Sequence, residues 1–459
     1  GSGDYRTIQK ALDAVPSNSA RRTKIFIKNG TYNQKIQLTA SKCNVSLIGE
    51  SAEGVIISWN DYAGKVPLMS AAESYTFLAE GNDLYAENLT VVNTAGNIAQ
   101  AVAMRVTGDR QVFKNCRFIG YQDTYYAHKN RQYNFRCYIE GATDFIFGES
   151  TAVFDSCTIL CVKGGQYITA PSDTKLTSQI PEGTFYHGLL FRSSVLIAAD
   201  DVPGNSYFLG RPWQPNASSV FINCTMGDFI KQEGWSVWDG TNNHLSGCYA
   251  EYQSRNYDGE LIDVSQRVEW SKQLTANDVS SYYTLDYFYK KDTVSWDPTQ
   301  ETTVSEPPDN ILLDYNTVSW TGVPDACGYV LFRNDSAIAF PETNYYTDLT
   351  ADRSKSNVYY LRSVSCHNGA LSRKSENITA MPSRINSSEN DKIIRIIKID
   401  NEKIYLNEKT DIIIYTLNGI LLKEQKHADQ ISIGNLLKGI YLIRITDKDG
   451  RIFTDKIIL

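Results

Sequence analysis

Histidine is scarce in this chain. Five occur in 459 residues, at His128, His187, His244, His367 and His427. They form no HExxH and no pair at ligand spacing, which argues against a histidine-built zinc site. Methionine is scarcer still, with four. No run of about 18 apolar residues occurs, so no membrane-spanning helix is expected. No basic stripe stands out and the formal net charge is −7, against a nucleic-acid binder that works on backbone charge. The nine cysteines contain no CxxC, and Cys157 and Cys161 lack the second pair that would complete a zinc site. No GxSxG occurs, which disfavours a serine hydrolase. No signal peptide opens the chain at Gly1-Ser2-Gly3-Asp4, and a targeting segment is expected upstream of it.

What is present is aromatic and β-prone. Tyrosine reaches 29, and aromatics reach 12% of the chain. That favours strands and stacking surfaces over helical bundles. Hydrophobic residues at 42% and charged residues at 21% are ordinary for a globular protein, and the length suits two to four domains. Chemistry here must rest mostly on carboxylates, amides and guanidinium groups.

Thr7 to Val15 has apolar residues at helical spacing and ends at Pro16, which predicts one short helix. Short β-like runs follow, and they repeat. VFKNCRFIG from Val112, YNFRCYIEG from Tyr133, VFDSCTIL from Val153, LLFRSSVLI from Leu189 and VFINCTMG from Val220 share one pattern, with a weaker copy from Leu84. Cys116, Cys137 and Cys157 fall about 20 residues apart. A strand repeat of that length fits one coil of a parallel β-helix. The cysteines then stack, either as a ladder of small buried residues or with a disulfide, most plausibly Cys137–Cys157.

Composition shifts near residue 300. Lys291 to Asn310 is rich in Thr, Ser, Pro and acids and reads as a linker. Runs at Val318–Trp320, Gly328–Asn334 and Val358–Ser365 resemble strands of a fibronectin type III-like sandwich. From Asp391 to Leu459 the chain holds 18 isoleucines in alternating runs and reads as a second small β-sandwich. IYTLNGILL and ISIGNLLKGIYLIRI resemble the C-terminal sorting domain of secreted Bacteroidota proteins; the alternative is simply another small β-domain.

Four segments of the repeat region hold unusual polar residues: QAVAMRV from Gln100, GYQDTYY from Gly120, GATDFIFG from Gly141 and LGRPW from Leu209. Gln100 to Gln122 spans 22 residues and Asp123 to Asp144 spans 21, each near one coil. Stacked coils would bring the two carboxylates roughly 5 Å apart. Such a pair cannot ionise independently: one pKa rises and the other is held down. Arg211 can grip one carboxylate in two places, and glutamine N–H groups can donate to an oxyanion. Tyr125, Tyr126, Phe145, Phe147 and Trp213 can stack on sugar faces or pack the walls.

At these residues the chain resembles the pectin methylesterases, from Gly1 to about residue 300. GSGDYRTIQKALDAVP and IKNGTYNQKI resemble the family's opening segments, and the four polar segments resemble its signature motifs. EGWSVWDG, CYAEYQS and RVEW resemble later ones. The resemblance implies a right-handed parallel β-helix and an aspartyl esterase using no metal and no cofactor; with the two small β-sandwich domains read after residue 300, the expected fold class is all-β. Asp144 would be the nucleophile and Asp123 the general acid and base. Gln100 and Gln122 would hold the oxyanion, and Arg211 would keep Asp144 ionised. Trp213, Tyr126, Phe147 and Thr143 would bind substrate, pectin or homogalacturonan. The expected protein is a monomer, secreted or at a bacterial cell surface. Gln34 stands where the family usually has Glu, and Tyr125 where it usually has Leu. The opening also starts later than is usual. A polygalacturonase or lyase could share fold and substrate, and a non-catalytic pectin-binding module is a third reading. The Gln–Gln pair favours acyl chemistry. The domains are expected at residues 1–300, 301–383 and 384–459, and loss of residues 310–459 is expected to leave activity on soluble pectin largely unchanged.

Overall fold

A computed structural model describes residues 4–172, 187–290, 296–314, 316–352, 354–381 and, within 396–458, all but 400, 401, 417–419, 438, 447, 449 and 451. It divides into two compact units, Gly1–Pro382 and Ser383–Leu459.

The predicted helix forms at Ile8–Ala14, with the Thr7 hydroxyl accepting from the Lys10 amide and Ile8, Ala11 and Leu12 facing inward. The repeats then wind a parallel β-helix. Three parallel sheets run along it, of ten, eight and seven strands, and each coil adds one strand to each sheet in turn. Tyr133 pairs with Val112 on one side and Val153 on the other, which is the repeat read from the sequence. Inside, equivalent residues of successive coils stack. Phe154, Phe191 and Phe221 form a ring column with centroids 4.7 and 4.4 Å apart. Cys116, Cys137 and Cys157 form a parallel ladder, all buried and all free. The structure thus shows the ladder rather than a Cys137–Cys157 disulfide. Cys137 and Cys157 instead donate to the carbonyls of Phe113 and Asn134 one coil back, both at 3.3 Å.

The segment read as a linker is largely structural. Lys291 to Ser295 lie outside the described residues, but Trp296 is buried against Tyr289 with centroids 4.8 Å apart. Beyond it, a three-stranded and a four-stranded antiparallel sheet face each other over Val318, Trp320, Tyr329, Leu331, Tyr359 and Leu361. These sheets do not hang free. Val330, Phe332, Tyr360 and Leu371 join one apolar cluster with Ile48, Tyr85 and Val112 on the outside of the ten-stranded sheet. Glu50 accepts from the Ala337 amide, Glu87 accepts from the Leu371 amide at 3.2 Å, and Ser46 donates to the Asn368 carbonyl. An apolar outer sheet face needs such a cover, and a tethered module would leave it wet.

The second unit is a five-stranded antiparallel sheet around Lys403–Thr416. Its core is isoleucine-rich, with Ile404, Ile412, Ile414, Ile431, Ile443 and Ile457 all buried.

Candidate active site

The site lies on the outer face of the seven-stranded sheet. Met104, Tyr125 and Ile146 sit in register there, each 21 residues from the next. Asp123 and Asp144 keep that spacing, so they stack on neighbouring coils. Gln122 bridges directly to Thr143, and the Asp123 amide donates to the Thr143 carbonyl at 3.2 Å.

Both aspartates sit on unusual backbone. Between Thr143↔Tyr167 and Ile146↔Thr169 the strand Thr143–Gly148 carries one extra residue. A bulge of this kind re-aims a side chain. Asp144 lies in it at φ +50°, and Asp123 lies at φ +65°. Non-glycine residues rarely adopt this region, and its cost concentrates at functional positions. Gly148 closes the same strand at φ +126°, where a Cβ would come within 2.0 Å of the Ala127 carbonyl oxygen.

Gly210 brings the chain flat against Thr169, and the Arg211 amide donates to the Thr169 carbonyl at 2.9 Å. From there Arg211 reaches Asp144 with two parallel bonds, Nε to Oδ1 at 3.0 Å and a terminal nitrogen to Oδ2 at 2.6 Å. Its guanidinium lies between two rings, 3.9 Å from the Tyr167 centroid and 4.2 Å from that of Trp238. A bidentate fork with covered faces is a fixed, permanently charged partner. Among the described residues Asp123 has no such partner and its carboxyl takes one bond, from the Gln100 amide at 2.9 Å.

The carboxyls are 4% and 5% exposed, and their environments separate them. Burial, then the charge of Asp144, pushes Asp123 up to about 8, against smaller opposing pulls from Gln100 and Arg211. Burial raises Asp144 too, but its bonds to Arg211 and the guanidinium charge oppose the rise. The spacing argument expects one value raised and one held down. Both rise here because burial acts on each carboxyl, which repulsion alone does not include. The asymmetry survives: Asp123 is pushed up by burial and by its neighbour's charge, while Arg211 opposes the rise at Asp144.

The predicted aromatic residues split. Phe147 stacks on Tyr126 with centroids 4.3 Å apart and meets Trp213 at 6.0 Å. These three surround an apolar floor with Val102 and Ala170. Tyr125 and Phe145 point the other way and are fully buried in the β-helix core. Alternation along a strand separates Tyr125 from Tyr126, and the bulge between Thr143 and Ile146 breaks the alternation that would otherwise put Phe145 and Phe147 on one face. Thr143 is half-buried beside Gln122.

Three further residues belong to the site. Tyr167 and Trp238 clamp Arg211; Trp238 lies in the EGWSVWDG segment, and Tyr167 follows Thr143 by about one coil length, so position alone marks it. His128 stacks on Tyr126 at 4.4 Å and accepts from Arg105 at 3.3 Å. Burial, then the Arg105 and Lys129 charges, lower His128 to about 4, so it stays neutral.

Comparison with known proteins agrees with this architecture. Residues 1–292 match the family model Pectinesterase, and residues 395–459 match the Secretion system C-terminal sorting domain. Pectinesterase 31 of Arabidopsis thaliana is 39% identical over 291 residues, covering 61% of this chain and 88% of that protein. Pectinesterase 4 of the same plant is 36% identical, and the match covers 59% of this chain but 46% of that longer protein. The solved pectin methylesterase from carrot superposes with a TM-score of 0.57 at 30% identity, over 63% of this chain and 90% of that one. That from Yersinia enterocolitica gives 0.52 at 30%, over 62% and 98%. With the family model matching well over half of its length, the chain belongs to the pectinesterase family.

Proposed function

We propose that this chain hydrolyses methyl esters of galacturonate units in pectin, with Asp144 as nucleophile and Asp123 as general acid and base. The carrying observation is the unequal treatment of two stacked carboxyls. Asp144 is gripped twice by Arg211, while Asp123 faces only an amide and is pushed up to about 8.

The Asp144 carboxylate attacks the ester carbonyl carbon. Charge develops on the carbonyl oxygen, and in this reading the amide of Gln122, which is half-buried, donates to it. Gln100, bonded to Asp123 in the resting site, turns to supply a second donor. Each such donor typically lowers the barrier by a few kcal/mol. Asp123 gives its proton to the departing methoxide oxygen, and methanol leaves an acyl-enzyme on Asp144. Asp123, now ionised, takes a proton from water, whose oxygen attacks the acyl carbon and frees Asp144. Tyr126, Phe147 and Trp213 offer faces for adjoining sugar rings, and Thr143 a polar edge. A related pectin methylesterase mutant has been solved in complex with a hexasaccharide, at 29% identity and a TM-score of 0.53.

Residues 1–300 form the catalytic domain in this reading, residues 301–383 a fibronectin type III-like domain, and residues 384–459 a sorting domain. The sorting match points to secretion or the cell surface in Bacteroidota. The deciding experiment is methanol release from methylated pectin by Asp144→Asn. Release should vanish with circular dichroism unchanged. Retained release would overturn the nucleophile assignment.

A further inference from the structure

The middle sheets carry a thiol pair outside the catalytic machinery. In Ala326–Arg333 the register with Asn357–Ser365 shifts between Ala326↔Ser365 and Gly328↔Val364, which makes Cys327 the extra residue of a bulge. Cys366 follows the partner strand directly, and its amide donates to the Asp325 carbonyl at 2.9 Å. The bulge turns Cys327 diagonally toward Cys366. The two thiols share a hydrogen bond, and burial together with the Cys327 sulfur pushes the Cys366 thiol up. Both cysteines are exposed; six of the other seven are buried and Cys43 is half-buried.

A cation reaches this pair from the β-helix. Lys24 donates its ammonium to Cys327 Sγ at 2.9 Å and to the Cys366 carbonyl at 3.1 Å. An ammonium at that distance stands beside the sulfur that a reagent would meet. Lys24 and Cys327 also line a cavity of about 1070 Å³ between the β-helix and the middle sheets, with room for a reagent beside the sulfur.

We propose that Cys327 and Cys366 are a dithiol site for an organic disulfide, which oxidises them to a Cys327–Cys366 cross-link with Cys327 as the attacking sulfur. The Cys327 thiolate attacks one sulfur of the reagent, forming a mixed disulfide and expelling one thiolate. The Cys366 thiolate then attacks Cys327 Sγ, closing the protein disulfide and expelling the second. The reagent takes up two electrons, and the two protein protons leave with its two thiols. A chain bearing a sorting domain is exported toward compartments where such disulfides occur. Cross-linking alters the sulfur to which Lys24 donates, so the seam between β-helix and middle sheets changes its polar contacts with redox state.

The test is a non-reducing peptide map of the folded, reduced full chain after exposure to oxidised glutathione. A Cys327–Cys366 cross-linked peptide pair, two hydrogens lighter than its thiols, should dominate. In Cys366→Ser, glutathione should remain on Cys327. In Lys24→Gln, capture at Cys327 should slow at least about threefold near neutral pH. Stable mixed disulfides on both cysteines of the parent chain, or reaction at Cys43 ahead of Cys327, would overturn the proposal. An unchanged rate in Lys24→Gln would remove the lysine from it. The parent map stands even if a variant fails to fold.

Discussion

Ending the chain at residue 302 should destabilise the catalytic β-helix, whereas ending it at residue 382 should not. The difference lies in what the middle sheets cover. Ser46 and Glu50 both bond to them, so Ile48 between these residues lies beneath them. Tyr85 donates to Glu87, which holds the Leu371 amide, and Phe26 packs on Phe340 at 4.6 Å. Removing the middle sheets wets Ile48, Tyr85 and Phe26. At about 1.5–3 kcal/mol per large side chain, less the apolar surface an unfolded chain already hides, the loss is roughly 5 kcal/mol. For a domain of this size that corresponds to a fall in Tm of roughly 10 °C. Glu50 and Glu87 regain water when uncovered, which offsets the loss of their amide partners. Calorimetry on the two truncated chains reads the effect, and methanol release at low temperature reads the site. Equal Tm values for both truncations would refute the argument that the middle sheets are an integral cover. Loss of turnover at low temperature would show that they also shape the site.

Asp123→Asn should abolish turnover and also change the pH dependence of stability. A carboxyl raised to about 8 in the fold stabilises the native state below its unfolded value, and that contribution is lost as pH rises toward 8. The variant should therefore lose this part of the decline and be the more heat-stable protein at pH 8. A parallel decline in both proteins would count against a protonated Asp123. In the parent enzyme, turnover should fall as pH passes through about 8 if Asp123 is the general acid proposed above, because it then ionises. Arg211→Lys should lower kcat at least about 100-fold, since a point ammonium cannot reproduce the two-bond fork or the packing between Tyr167 and Trp238. Near-normal kcat in that variant would show that charge alone suffices.

Much of the site was legible before any coordinates, for a physical reason. A coil repeat converts sequence spacing into spatial stacking, so 21 residues between Asp123 and Asp144 read directly as adjacency. Gln100 and Gln122 depart from that spacing by one residue, and in the structure it is Ala101, not Gln100, whose amide donates to the Gln122 carbonyl, while the Gln100 side chain reaches Asp123. Strand alternation could have sorted Tyr125 from Tyr126, because consecutive residues cannot share a face. The bulge at Asp144 was not legible, since it needs the partner strand's register. The clamp on Arg211 was hidden because Trp238 lies 27 residues beyond it in a different segment. The supposed linker misled because Thr, Ser and Pro mark exposed chain on average, while Trp296 and the outer face of the ten-stranded sheet decide where this one packs.

The stacking of the site across coils has a consequence for how the enzyme fails. Gln100, Asp123 and Asp144 come from three successive turns and Arg211 from the second turn beyond Asp144, with the Tyr167 turn between them, and in a solenoid each turn leans chiefly on its neighbours. Fraying at either tip costs little and leaves these turns in place. Methanol release is therefore a local gauge of the central turns. During gradual heating it should persist after amides near the first strand begin to exchange. It should then collapse abruptly, because losing any one of those turns removes a whole chemical role rather than a fraction of each.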